Sequence, residues 1–216
     1  MTQKTQNIVK QADEFIKKTS DVIKDLPKEV STGQFDTDIM KLEDIFDERY
    51  PELDRAQDLE DFKDDLQQPG FVGVGLIKGK DKDRELVGYL YGYRFIYGDN
   101  WDEESFDNAE WYVADKDKER EELRSAAKAG KIVYMSNLAI VSTYRFKLLA
   151  MLQETIRQIK EQGYKYVCAD MLGDSFKLIM GFGGKPNFGR LNKFGFDLIM
   201  TTGDYASGSL VILKVK

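Results

Sequence analysis

Two neighbouring stretches of the chain, FVGVGLIK at 71–78 and ELVGYLYGYRFIY at 85–97, repeat apolar residues with a period of two, and a polar tip, GKDKDRE, lies between them. That pattern predicts an antiparallel β-hairpin. A lone hairpin is not stable in water, so its apolar face must be covered by other elements. The cover is legible downstream. KIVYMSNLAIV (131–141) is rich in β-formers, and a helix follows at about 145–162 with Leu148, Leu149, Leu152, Ile156 and Ile159 on one stripe, closed by Gly163. YKYVCADML (164–172) then reads as a buried strand. A strand–helix–strand unit makes a parallel pair, so the hairpin and this unit together predict an α/β fold with a mixed sheet and helices on both faces.

The remaining segments fill in around that centre. Residues 5–26 carry Ile8, Ala12, Phe15, Ile16, Thr19, Val22, Ile23 and Leu26 on a near-heptad stripe, which predicts an N-terminal amphipathic helix stopped near Pro27. Residues 31–35 read as a linker. Helices are expected at 36–49 and 54–67, then at 115–129 with Gly130 closing it, and a short one at 188–193. Strands are expected at about 196–202 and 208–215. The division that follows is an extension with linker at 1–35 and one domain at 36–216, with an acidic insert at about 97–131.

Composition narrows the chemistry. The 216 residues include no histidine and one cysteine, so Ser-His-Asp and Cys-His sites are excluded, as are zinc sites that use histidine. An internal disulfide is impossible, and the start lacks the apolar core of a secretion signal. These features predict a cytoplasmic or otherwise intracellular protein, virus-encoded ones included, with no metal and no membrane span. The net charge of −6 is uneven: residues 36–66 hold 13 acids and four bases, while 132–216 hold 11 bases and six acids. A basic C-terminal part suits an anionic ligand. Basic clusters interleaved with aromatics are missing, so nucleic acid is not an expected partner.

Several pieces, in order, resemble the GCN5-related N-acetyltransferase (GNAT) superfamily over roughly 36–216. IMKLEDIFDERYPEL and DLEDFKDDLQQPGFVGVGL resemble its paired first helices and second strand, and ELVGYLYGY its third strand. KIVYMSNLAIVSTYRFKLLAMLQETI resembles its fourth strand, pyrophosphate loop and third helix, and KFGFDLIM with GSLVILKVK its Gly-Phe and closing hairpin. The resemblance implies a mostly antiparallel, acyl-CoA N-acyltransferase-like sheet and acetyl-CoA as a substrate. It places the loop pattern Arg/Gln-x-x-Gly-x-Gly/Ala on Arg145, Phe146, Lys147, Leu148, Leu149 and Ala150, with Leu148 where the family has glycine. It also implies that main-chain edges of Leu138, Ala139 and Ile140 pair with the pantetheine arm where the fourth and fifth strands splay apart.

The resemblance assigns no catalytic residue. A tyrosine often found four residues before the Gly of the Gly-Phe pair is here Leu191, and Ser136 and Asn137 occupy the stretch where a carboxylate is common. Tyr134, Asp170, Tyr205 and Glu110 remain as candidates to move protons. Cys168, mid-strand, is expected in the core, because no histidine can activate it. Gly181, Gly183 and Gly184 match neither a Walker loop nor a dinucleotide fingerprint and read as a loop over the acceptor groove. Trp101, Phe106, Trp111 and Tyr112 form either a local core or a docking surface.

The expected function is an acyl-CoA-dependent N-acetyltransferase, transferring directly to an amine of a small molecule or protein. The alternative is a catalytically inactive relative that serves as a binding or structural component of a larger assembly, viral ones included. Contacts with a protein partner, or an oligomer, would then run through the 1–30 helix or the 97–131 insert.

Overall fold

The computed structural model describes residues 22–25, 59–79, 85–96, 106–171, 188–202 and 209–216. Eight strands form one sheet: β1 (Val22–Asp25), β2 (Val72–Lys78), β3 (Glu85–Arg94), β4 (Glu110–Trp111), β5 (Ile132–Ile140), β6 (Tyr166–Met171), β7 (Phe196–Thr201) and β8 (Ser209–Val215). Their order is β1-β2-β3-β5-β6-β8-β7-β4, and all neighbours are antiparallel except β5 and β6. The helices are α1 (Leu59–Leu66), α2 (Lys116–Lys128), α3 (Leu148–Glu161) and α4 (Phe188–Phe194). The expected mixed, mostly antiparallel sheet covered on both faces is what forms.

Strand alternation divides the core between two faces. On one face, Met151 of α3 meets Val74, Leu76, Val87 and Leu90, while Ile156 and Ile159 of α3 and Leu191 of α4 meet Val133, Val167, Ala169 and Val211. On the other, Leu66 of α1 meets Tyr89, Tyr91 and Ala139, and Leu123, Ala126 and Ala127 of α2 meet Ile132, Tyr166, Cys168 and Ile212. Val167 and Ala169 thus face α3, and their neighbours Tyr166 and Cys168 face α2.

Local chemistry sets the helix ends. The Asp115 side chain accepts from the Lys118 N–H at 3.0 Å and caps α2. Gly130 and Gly163, at φ of 63° and 72°, end α2 and α3. After each glycine the next amide reaches back, Lys131 to the Ala126 carbonyl and Tyr164 to that of Ile159, which satisfies carbonyls the helix leaves open.

A side chain also completes the sheet. β1 stops pairing with β2 at Asp25–Val74. At the next residue of β2, Gly73, the Gln158 carboxamide accepts from the N–H at 2.8 Å and donates to the carbonyl at 3.1 Å. Gln162 donates to the Phe71 carbonyl at 2.8 Å. α3 therefore locks the β2 edge beyond the reach of β1.

Two expectations change. Residues 22–25, the expected last turn of the N-terminal helix, are a strand paired with β2, because an open sheet edge offers them main-chain partners. The rest of that helix reading, and the helix at 36–49, fall outside the described residues. The long helix starts at Leu148 rather than 145, since Ser142–Lys147 form a 3-10 turn. Of the two readings of the insert's aromatics, the structure favours a local core: Phe106 and Leu123 are fully buried, Trp111 and Tyr112 pack against core residues, and β4 adds to β7 at the outer edge. Where described, this aromatic set is core; Trp101 lies outside the described residues.

Candidate functional site

The site begins with a mismatch between two strands. β5 pairs with β3 along its whole length, whereas its pairing with β6 runs only from Ile132–Tyr166 to Met135–Ala169. Opposite β3, Tyr91 pairs with Asn137 and Gly92 with Met135, so Ser136 is an extra residue, a β-bulge. A bulge bends and twists its strand. Here it coincides with the point where β5 leaves β6, and residues 136–140 have no β6 partner.

Gly92 permits the bulge. A Cβ there would lie 2.3 Å from the Tyr134 carbonyl oxygen and 2.9 Å from Met135 Cα, both backbone atoms. No side chain can replace that hydrogen without moving the strand.

The direction of the β5 main chain follows from one bond. The Val141 N–H donates to Val87 of β3 at 2.9 Å, so with period two the polar groups of Ala139 face β3 as well. Those of Leu138 and Ile140 then face the gap. The Leu138 N–H is held by the Asn137 side-chain carbonyl at 2.8 Å, a local substitute for the missing strand. The side chains of Leu138 and Ile140 pack toward Met151, and Ala139 is buried on the opposite face.

β5 leads directly into the 3-10 turn and α3. Neither start carries a capping side chain; within the 3-10 turn the Tyr144 N–H is taken by the Val141 carbonyl, which leaves the amides of the first turn of α3 without a side-chain cap. Arg145 is exposed, and so are Phe146 and Leu149, at 53% and 48%. Phe146 stacks on Tyr144 with ring centres 6.4 Å apart. Lys147 is 8% exposed, with its ammonium 5.5 Å above the Phe146 ring. Its charge is therefore turned toward an aromatic face rather than freely presented. Leu148 takes ordinary helical angles, φ −54° and ψ −41°, and its N–H donates to the Arg145 carbonyl. Leu138–Ile140 and Arg145–Ala150 are thus brought to the two sides of a single strand-to-helix junction.

The proton-transfer candidates separate. The Tyr134 hydroxyl donates to Asp170 Oδ2 at 2.8 Å across the β5–β6 boundary. Burial, and then the Asp170 carboxylate, hold that hydroxyl far above its usual range. Glu110 is exposed on β4, separated from β5 by β6, β8 and β7, and so lies away from the gap. Tyr205 and the 181–184 glycines are outside the described residues. Leu191 is 1% exposed and belongs to the core beneath α3. Cys168 is buried as expected, and burial pushes its thiol well up.

One participant was not legible in the sequence. Asp65 of α1 accepts from the Tyr91 hydroxyl at 3.0 Å and from the Ser136 hydroxyl at 3.3 Å, tying α1 to the bulge. Asp65 is one of 13 acids in its block, and nothing in the linear pattern marks it. Among the described residues, no cluster of acids and Cys suits a metal, and no helix is long and apolar enough to cross a membrane.

No protein-family model matches the chain, and no curated protein matches it in sequence. Solved structures do match. An acetyltransferase of the GNAT family from Staphylococcus aureus is 12% identical, with 91% of this chain and 100% of that chain covered and a TM-score of 0.52. An aminoglycoside 6'-acetyltransferase type Ii is 12% identical over 90% of this chain and 96% of its own, with a TM-score of 0.51. The NatC complex, solved with a Gag peptide and CoA, contains a chain 11% identical over 90% of this chain and 97% of its own, with a TM-score of 0.51. With its divided β5–β6 pair leading into α3, this chain has the fold of the GNAT acetyltransferases.

Proposed function

We propose that this chain is an acyl-CoA-dependent N-acyltransferase, with acetyl-CoA as donor and an amine as acceptor. One observation carries the reading: β5 leaves β6 at a bulge and runs straight into an uncapped helix start. An amide-bearing arm can pair with an open strand edge, here through the main chain of Leu138 and Ile140. Of the amides at about 146–150, that of Leu148 is already held by the Arg145 carbonyl; a pyrophosphate suits the first-turn amides that follow it in α3, and Arg145 adds an exposed cation beside them. Phe146 does not oppose this, since its ring lies outward on Tyr144.

The bound thioester supplies an activated acyl group. The chain's own residues orient it and take up charge. The Leu138 N–H faces the gap and is the backbone donor available to an acyl oxygen once the Asn137 carbonyl gives it up. The acidic 36–66 block, of which Asp65 reaches the bulge, favours a cationic acceptor. A buried free thiol and the absence of any disulfide accord with an intracellular setting.

The second reading is a non-catalytic binding or structural component. Leu191 favours it, because a buried aliphatic side chain stands where relatives often have a hydroxyl. The two readings separate in a thiol-release assay with acetyl-CoA and benzylamine, lysine or spermidine. Acceptor-dependent release of CoA supports the enzyme. No release above the buffer rate with any acceptor, together with a stable macromolecular complex, supports the second reading.

A further inference from the structure

On the face covered by α1 and α2, a polar patch interrupts an otherwise apolar sheet. It consists of Tyr91 and Tyr93 of β3, Tyr134 and Ser136 of β5, Asp170 of β6 and Asp65 of α1. It contains two separate links: Tyr91 and Ser136 both donate to Asp65, and Tyr134 donates to Asp170. The two acids are placed differently. Asp65 already receives two hydroxyls in a part-buried setting. Asp170 is exposed and is the first β6 residue past the Met135–Ala169 pair, level with the Ser136 bulge at the mouth of the gap.

We propose that Asp170 is the catalytic base of the transfer and that Tyr134 is a positioning residue that fixes its carboxylate. This rests on the N-acyltransferase reading. The acceptor nitrogen forms a bond to the acyl carbon and the carbon–sulfur bond breaks, its electron pair leaving with sulfur. An alkylammonium acceptor gives up two protons in all. Asp170 takes the first, which frees the nitrogen lone pair for attack, and passes it to water; the second leaves nitrogen after the C–N bond has formed and ends on the CoA thiolate. Each proton is accounted for, and no oxidant or metal is needed. A base at this point is needed because an ammonium has no lone pair with which to attack.

Tyr134 is suited to holding rather than accepting. Its hydroxyl stays protonated, because burial and the Asp170 charge disfavour the phenolate. Tyr93 lies behind it, ring centres 5.9 Å apart, with its own hydroxyl raised by burial and by Asp65. Among the described residues, Cys168 on β6 and Tyr134 on β5 are the titratable groups that interact with Asp170, and its β8 partner is the apolar Leu210. On α2, Glu119 and Glu122 are engaged with Lys214.

The test uses the full chain with acetyl-CoA and the same three amines. Asp170→Asn is expected to lower kcat by about 100-fold or more, the usual range for loss of a general base, with CoA affinity by calorimetry unchanged. Activity should recover as pH rises and the amine loses its proton unaided, and Asp170→Glu should restore part of it. Tyr134→Phe is expected to lower kcat about tenfold at unchanged KM for acetyl-CoA. An independent readout needs no cofactor: in Asp170→Asn, the Tyr134 ring signal in an NMR titration should ionise at lower pH than in the wild type. The proposal falls if Asp170→Asn keeps activity within about twofold, or loses CoA binding in parallel with activity. A wild type that acetylates amines while Asp170→Asn does so equally well overturns this inference alone. A wild type that fails to bind CoA overturns the functional reading and this inference with it.

Discussion

A methyl group on Gly92 would meet two backbone atoms of β5, at 2.3 Å and 2.9 Å, and neither can step aside as a side-chain tip would. Gly195 makes the contrast. It sits at φ +84° with nothing within 4 Å of an added Cβ, so alanine there pays only for left-handed backbone. Gly92→Ala should therefore cost about 1–3 kcal/mol from overpacking and also disturb the bulge. In urea unfolding the midpoint should drop, and CoA affinity should fall with it, whereas Gly195→Ala should leave CoA affinity unchanged. A Gly92→Ala protein with wild-type stability would show that the bulge is not held by this close approach. At this scale the sequence is least legible. Five glycines punctuate 73–92, and only the register of β3 on β5 tells which one must lack a side chain for the bulge to form. Asp65 and Gln158 are hidden for the same reason, since their partners lie 71 and 85 residues away.

Elements were easier to read, because periodicity reports burial directly. The hairpin, α2, α3, and the last two strands fall within a few residues of their expected limits, and both closing glycines have positive φ. The misread element is instructive. Val22 and Ile23 fit a helical stripe and an edge strand equally well, and pairing with Ile77 and Leu76 decides for the strand. At this scale the firmest electrostatic link joins α2 to β8 and β6. Lys214 reaches Glu119 at 2.8 Å and Glu122 at 3.1 Å, and Tyr166 donates to Glu119 at 2.7 Å. The hydrogen bond from Lys214 and then its charge hold the Glu122 carboxyl below the ordinary range. A depressed carboxyl stabilises the fold above its unfolded pKa, about 4.3, and that contribution is lost as pH falls through the folded value. Between about pH 5 and 3, the wild-type urea midpoint should thus fall more steeply than that of Lys214→Met. Parallel pH profiles would remove this link from the account. Lys214 itself is opposed by burial, yet its hydrogen bonds to the two glutamates outweigh that and raise it.

Across the whole molecule, charge and topology point to the same place. The basic C-terminal part supplies the strand-to-helix junction and Arg145, while the acidic block contributes Asp65, which holds the bulge from the other face of the sheet. The order of elements made the fold legible, since a hairpin followed by strand–helix–strand admits few sheets. The gap itself was not legible from the residues alone. It depends on one skipped residue, Ser136, and a bulge leaves no signature in composition. Leu148, at the position where the GNAT loop pattern has glycine, occupies an ordinary helical conformation at the first turn of α3 and requires no strain. The account stands on whether that junction holds a cofactor. Calorimetric titration of CoA into the full chain tests it directly. Saturable binding of one CoA per chain, weakened about tenfold by Arg145→Ala as expected for loss of one charge-assisted phosphate contact, is the predicted result. No heat of binding up to millimolar CoA would contradict it.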